Sequence, residues 1–382
     1  MTENRQTHLR GMTWNHARGL RPLLAAAEQY QQQHPTVSIT WDSRPLQDFE
    51  SQPLRELAAS HDLILIDHPH LGEAVREHLL LDLSNCQRNE ELNALQQQSA
   101  GSSHAAYALH GGQWALAVDA ATPVASYRPD LLDTVPATWQ DVIDLARTGK
   151  VLMPLRPPHG LMALLWLACN RGASIANTPE MLMADDEIAQ SLEQLAELAS
   201  LLRPACFDMD PIAVYDILSS QEDGPSYCPH AYGYVNYTQN GFRTYPLTFT
   251  DVADAAGGGV KGTVLGGAGM AVSALSKNTA AATDFAFHTA SARYQTESWV
   301  RDGGQPGNVL AWHDDECNRL TNNFLSQTRA TLESAWIRPR YSGYTAFQGL
   351  ASHTISDYLQ GRLSLRHCVQ ALQKLYRESH KK

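Results

Sequence analysis

The run Leu63-Ile64-Leu65-Ile66 is continuously apolar and gives way at once to Asp67-His68-Pro69-His70. Apolar residues without alternation describe a parallel strand covered on both faces, and the polar tetrapeptide is then the loop at its carboxyl end. Upstream, Leu9–Thr13 is a short strand candidate. Leu20, Leu23, Leu24 and Ala27 follow the i, i+3, i+4, i+7 spacing of an amphipathic helix. Pro22 is placed in the first helical turn, where its missing N–H costs nothing. The helix is expected to end at His34-Pro35, because a residue before proline disfavours the α region. Val37, Ile39 and Trp41 alternate with polar neighbours as a second strand, and Leu54–Ser60 reads as another helix. Strand, helix, strand, helix, strand implies an α/β fold with a mostly parallel sheet and right-handed crossovers. Ligands of such sheets bind outside the carboxyl ends of the strands. That marks two loops, Thr13–Gly19 and Asp67–Gly72.

The chain has 382 residues, 29 Lys+Arg against 40 Asp+Glu, a formal net charge of -11, and 43% apolar residues. The length suggests two or three domains and the apolar content supports a sizeable core, which excludes disorder as the main state. The acidic balance argues against a nucleic-acid partner, and the basic tail His380-Lys381-Lys382 is too short to change that. The longest apolar run, Leu161–Cys169, falls well short of the about 20 residues of a membrane span. Met1–His8 is polar and shows no apolar leader region. The expectation is therefore a chain kept in the cytoplasm, or one whose leader was removed. The six cysteines form no C-x-x-C pair, so zinc and thioredoxin-like readings fail. Buried free thiols are the plain expectation, and Cys206 and Cys228, which bracket a Pro/Gly-rich loop, are the one pair placed to bridge.

A second unit begins after Trp114–Val118. Thr138 reads as a helix N-cap with Asp141 three residues on. Val151–Met153 is a short strand candidate, Leu161–Asn170 a buried helix, and Ile188, Leu192, Leu195, Ala199 and Leu202 mark another helix. Arg203–Gly241 is expected to be mostly loop. Gly257–Gly262 contains a formal G-x-G-x-x-G, but it precedes the strand-like Thr263-Val264-Leu265 and opens no helix, so it reads as a turn rather than a nucleotide site. Ala280–Ser291 and Leu365–Tyr376 are helical.

No G-x-S-x-G or H-E-x-x-H is present. Asp67-His68-Pro69-His70 is the most metal-like cluster, although two His separated by one residue share an ion only from an extended segment. The aromatic and polar loops are more informative. Trp14-Asn15-His16 lies in a strand-to-helix loop. Tyr232–Tyr237 alternates aromatic residues, Gly303–Gly307 holds Gln305 at the centre of a turn, and Arg338-Pro339-Arg340-Tyr341 sets two guanidinium groups beside a ring. Rings with amide and guanidinium donors at their edges suit a polar small-molecule pocket. The start of the first helix is a place for an anion, with Arg18 and Arg21 alternatively solvated.

These segments resemble the bacterial extracellular solute-binding protein family 1, the carbohydrate-type receptors of ABC importers. The resemblance covers nearly the whole chain. The opening strand, the Trp14-Asn15-His16 loop, the helix and the strand after His34-Pro35 look like the family's N-terminal β-α-β, and Asp62–Asp67 like its third strand. Tyr107–Tyr127 is similar to the stretch that first passes between lobes, and Pro136–Trp139 to a Pro-x-Thr-Trp helix start. Leu265–Ser273 is similar to the glycine-rich return, and Ser276-Lys277-Asn278 to the helix start after it.

The resemblance implies a two-lobe periplasmic-binding-protein-like fold of type II, each lobe a mostly parallel sheet flanked by helices, joined by a hinge. Lobe one would be residues 1–119 plus 270–325, and lobe two 120–269 plus 326–382. The ligand-binding set would be Trp14, Asn15, His16, Asp67, His68, His70, Tyr237, Gly267, Gln305, Arg338, Arg340 and Tyr341, in an interlobe cleft. No catalytic residue, metal or cofactor is implied. The partners would be a sugar, sugar acid or carboxylate and an ABC permease, for a monomer outside the cytoplasmic membrane. The alternatives are a cytoplasmic ligand sensor on the same fold, and a hydrolase using Asp67 and His68.

Overall fold

A computed structural model describes residues 6–46, 53–259 and 262–381. Met1–Arg5 of the polar N-terminus, Val260-Lys261 of the glycine-rich stretch and Lys382 of the basic tail lie outside the described residues. Among the described residues the strands are β1 (Thr7–Trp14), β2 (Val37–Arg44), β3 (Leu63–Ile66), β4 (Ala108–Leu109), β5 (Gly112–Gln113), β6 (Leu116–Ala121), β7 (Pro123–Tyr127), β8 (Tyr227–Tyr232), β9 (Thr248–Thr250) and β10 (Gly266–Val272). The chain forms two compact units. Unit 1 comprises residues up to Ala120 with Gly266–Thr321, and unit 2 comprises Ala121–Leu265 with the residues from Asn322 onward.

Unit 1 is built on a five-stranded sheet of order β2-β1-β3-β10-β6. β1 runs parallel to both β2 and β3, and β10 is antiparallel to β3, with Gly269 opposite Ile66. Leu63–Ile66 is buried along its whole length, as its unbroken apolar character requires of a strand with helices on both faces. The helix α1 (Ala17–Gln33) follows β1. It begins earlier than the apolar spacing indicated, because His16 is its N-cap and its Nδ1 accepts the Arg18 N–H at 3.1 Å. Pro22 consequently sits inside the helix, beyond the first turn, where it has no N–H to offer the helical ladder. The end of α1 before His34-Pro35 is where the proline placed it.

Unit 2 carries a three-stranded sheet of order β8-β7-β9. The expectation of mostly parallel strands holds in unit 1. In unit 2 the named strands pair antiparallel, and among the described residues parallel pairing is confined to single bridges such as Val151 to Tyr227 and Val264 to Trp336. Val151–Met153 and Thr263–Leu265 are thus bridges rather than strands. Thr138 and Asp141 form the expected capping box at the start of the helix Trp139–Arg147. The helix His159–Arg171 is buried on nearly every side, which explains its apolar run without periodicity. Arg203–Gly241 contains more structure than its loop-like composition suggested. Asp210 caps a helix over Pro211–Leu218 by accepting the Ala213 N–H, and β8 follows it. Capping residues and turn residues share a composition, and here the caps dominate. Cys206 and Cys228 are both buried and free, in line with the plain expectation of free thiols, and the one bridge considered is not made.

Two histidines lie fully inside unit 2. His230 stacks on Trp166 at 4.7 Å and shares a hydrogen bond of 2.9 Å with Thr263 Oγ1. Burial lowers His230 to about 3 and His159 to about 4. No helix among the described residues is long and apolar enough to cross a membrane.

Candidate functional site

The register of unit 1 gathers a set of polar and aromatic groups at one edge of its sheet. β1 and β3 are parallel and end together, at Trp14 and Ile66, and antiparallel β10 begins at that same edge. Trp14 ends β1 and Asn15 and His16 follow it, Asp67 and His68 follow β3, and Gly267 lies at the start of β10. Gly267 has a φ of +100°, and a Cβ there would lie 2.3 Å from the Asp119 carbonyl oxygen, so the glycine permits β6 and β10 to approach. Gln305 is buried and donates from Nε2 to the Ala120 carbonyl at 2.8 Å, tying the Gly303–Gly307 turn to β6. Tyr107 completes the edge, its hydroxyl donating to the Ile66 carbonyl at 3.2 Å and its ring 6.3 Å from His68.

The expected residues serve this edge differently. Trp14 is buried and belongs to the apolar core of unit 1, its ring lying where a Cβ on Gly19 would come within 2.4 Å. Asn15 is exposed. Asp67 Oδ1 accepts the His68 backbone N–H at 2.9 Å and lies 3.2 Å from His68 Nδ1. His68 is buried and His70 half-buried in the short 3-10 turn that follows. Among the described residues no group of three or more His, Cys, Asp or Glu is arranged to hold a metal ion.

Arg18 is not solvated, the alternative that its place at the helix start had allowed. It is buried and paired with Asp119, whose carboxylate receives Arg18 Nε at 2.8 Å on one oxygen and a terminal guanidinium nitrogen on the other. Burial raises Asp119, and the guanidinium opposes that rise. The pair spans 101 residues of sequence. Its one local signal is a carboxylate set into the apolar segment Leu116–Ala121, which calls for a cation it does not name.

In unit 2 the expected residues fall into separate groups. Tyr237 is buried among Tyr215 and Phe242, and its hydroxyl donates to Asp216 at 2.7 Å. Tyr341 shares a 2.6 Å hydrogen bond with Ser379 and stacks on His380 at 3.7 Å. Arg338 is buried and donates to Gln348 at 2.9 Å, while burial pulls the half-buried Arg340 below the ordinary arginine value. Arg338 also acts electrostatically on His159 and on the buried Tyr344, neither of which the sequence had singled out.

The glycine-rich loop holds a carboxylate of its own. Asp254 accepts the N–H groups of Ala256, Gly257, Gly258 and Gly259 at 2.7–3.2 Å, and these bonds hold its pKa below the usual carboxylate range. Donors of the kind that cradle phosphates elsewhere are thus engaged internally. Asp254→Ala is expected to cost about 1 kcal/mol in urea unfolding and to speed proteolytic cleavage at Ala256–Gly259. Unchanged cleavage would show that the carboxylate does not order the loop.

The profile of the family described as "Bacterial extracellular solute-binding protein" matches residues 25–310. A search of curated proteins finds no match. Among solved structures, the chain is similar to maltose-bound MalE3 of T. maritima, with 14% identity, a TM-score of 0.82, and 97% of this chain and 99% of that one covered. It is similar to an ABC transporter solute binding protein of Agrobacterium radiobacter K84 in complex with ribitol, at 17% identity, TM-score 0.81 and 99% of each chain. The GacH receptor of Streptomyces glaucescens, studied unliganded and with acarbose, matches at 16% identity and TM-score 0.80, again over 99% of each chain. At these identities the likeness is one of fold, the α/β two-lobe architecture of periplasmic binding proteins.

Proposed function

Because the chain belongs to the bacterial extracellular solute-binding proteins, we propose that it captures a sugar or polyol outside the cytoplasmic membrane and delivers it to an ABC permease. The observation that carries this reading is the carboxyl-end edge of unit 1. An aromatic ring (Trp14), a carboxylate–guanidinium pair (Asp119 and Arg18), a tyrosine (Tyr107) and two histidines (His16 and His68) converge there, where open α/β sheets take their ligands. The buried Trp14 and Tyr107 rings back this edge, and its polar groups match the hydroxyls of a sugar. The protein acts as a monomer in this proposal and performs no chemistry on the solute. Asp67 and His68 support it by shaping the turn after β3, the carboxylate accepting the His68 N–H.

A thermal-shift screen tests this directly. Maltose, ribitol and D-mannitol form one arm, and sugar acids and small carboxylates the other. A solute at 100 times its Kd raises stability by about 2.7 kcal/mol, and mass spectrometry should recover it chemically unchanged. No shift with any member of either arm would reject the reading, and a converted solute would replace it with an enzymatic one.

A further inference from the structure

Asp119 is a carboxylate in an otherwise apolar strand and is 1% exposed, and Arg18 beside it is 4% exposed. Burial by itself drives a carboxylate toward its protonated form. The guanidinium fork opposes this by meeting both oxygens at once, a geometry that lysine cannot reproduce. The same guanidinium lies 5.8 Å from the centre of the Trp14 ring. Thr13 Oγ1 donates to the Gly19 carbonyl at 3.0 Å and closes the loop between ring and helix. One side chain therefore links the end of β1, the start of α1 and the end of β6. Other groups near Asp119 come from β10 and from the Gly303–Gly307 turn. They include the backbone of Gly267, Pro306, which bridges to Asp119, the neutral Gln305 and the Gln305 carbonyl, which accepts the Ala120 N–H at 3.4 Å. A buried ion pair is a poor means of adding stability, which directs attention to what this one positions.

We propose that Arg18 is a positioning residue for solute binding, holding the Asp119 carboxylate ionised and the Trp14 ring fixed so that a neutral hydroxylated solute binds without exchanging a proton. The proposal rests on the reading that this edge captures a sugar or polyol. With Arg18 in place, both Asp119 oxygens accept from the guanidinium fork, which favours the carboxylate over the acid. Without it, Asp119 takes up a proton, and binding must release that proton to recover the acceptor.

Calorimetry on the full chain tests this, with maltose, ribitol and D-mannitol as neutral probes. For the wild type, the binding enthalpy should be the same in phosphate and Tris buffers. Arg18→Met should bind at least about tenfold more weakly at neutral pH, the loss of roughly one charged hydrogen bond. Its affinity should rise with pH, and its enthalpy should become buffer-dependent. Arg18→Lys keeps the charge without the fork and should fall between the two. If Arg18→Met does not fold, the double variant Arg18→Met/Asp119→Asn decides the matter, since it buries no charge. It should bind weakly at every pH. A double variant that binds like the wild type, or an Arg18→Met protein whose affinity is independent of pH, would overturn the proposal while leaving the capture reading intact. If the wild type itself binds none of the probes, the capture reading fails first and the role of Arg18 falls with it.

Discussion

Gly267→Ala is expected to lower the stability of the protein by about 3 kcal/mol, in the upper range for a single substitution. Two costs add. The backbone at Gly267 has a φ of +100°, which an L side chain adopts only with strain of about 1–2 kcal/mol. The new Cβ would also stand 2.3 Å from the Asp119 carbonyl oxygen and 3.0 Å from the Ala120 Cα. Both are main-chain atoms of β6, so no rotamer change relieves the contact and the strands themselves must separate. That displacement reaches Asp119 and its partner Arg18, so solute binding should weaken with stability. Urea unfolding should show a lower midpoint with an unchanged m-value. Gly349→Ala is the matched control. Gly349 lies inside the helix Tyr344–Leu359 with open space where a Cβ would go, and alanine there should be neutral or stabilising by up to about 1 kcal/mol. Equal midpoints for the two variants would refute the close-approach account of Gly267.

Acidification from pH 7 to pH 4 should remove on the order of 5 kcal/mol of stability through His159 and His230. Both are neutral inside unit 2, held at about 4 and about 3 by burial, whereas in the unfolded chain each titrates near the ordinary histidine value. Between those limits the unfolded state binds more protons than the folded one, so stability rises with pH. It is complete above the unfolded value and is lost as pH falls toward the folded ones. Each histidine contributes a slope of about 1.4 kcal/mol per pH unit in that window. His104 and His288, lowered by partial burial, act in the same direction. Asp119 and Asp302, raised by burial, act against it. Urea midpoints measured from pH 7 to pH 4 check the slope. His159→Gln and His230→Gln should each flatten it, at some cost at pH 7 for His230, which loses its stacking on Trp166. A slope unaffected by both substitutions would assign the acid sensitivity elsewhere.

Much of unit 1 was legible because its signals are local. The run Leu63–Ile66 has one environment open to it, a strand covered on both faces, and it lies at the centre of the sheet. The Thr138–Asp141 capping box and the stop before His34-Pro35 depend only on residues a few positions apart. Errors arose where two local signals competed. Pro22 fitted a helix start, but the His16 side chain had already begun the helix. Between Arg203 and Gly241 the caps of a helix read as loop.

The candidate site was legible in part for the same reason. Trp14, His16, Asp67 and His68 follow strands, and a parallel sheet places the ends of such strands side by side. Tyr237 and Tyr341 read like Trp14 in sequence, because the spacing of a ring in a turn does not say what the ring touches. Contacts within unit 2 engage both hydroxyls, with Asp216 and with Ser379.

By itself, the sequence determined the α/β class, the sheet edge formed by the ends of β1 and β3 and the residues that reach that edge from those strands. Hydrophobic patterning and turn chemistry act over a few residues and can be read without the fold. Only the tertiary structure decided that Arg18 meets Asp119, that Gly267 must be glycine, that Asp254 fills its own glycine loop, and that Cys206 and Cys228 stay unbridged. Apart from the Asp254 loop, each of these depends on which distant backbone lies within a few ångströms. That proximity is set by the packing of whole elements and leaves no period in the chain.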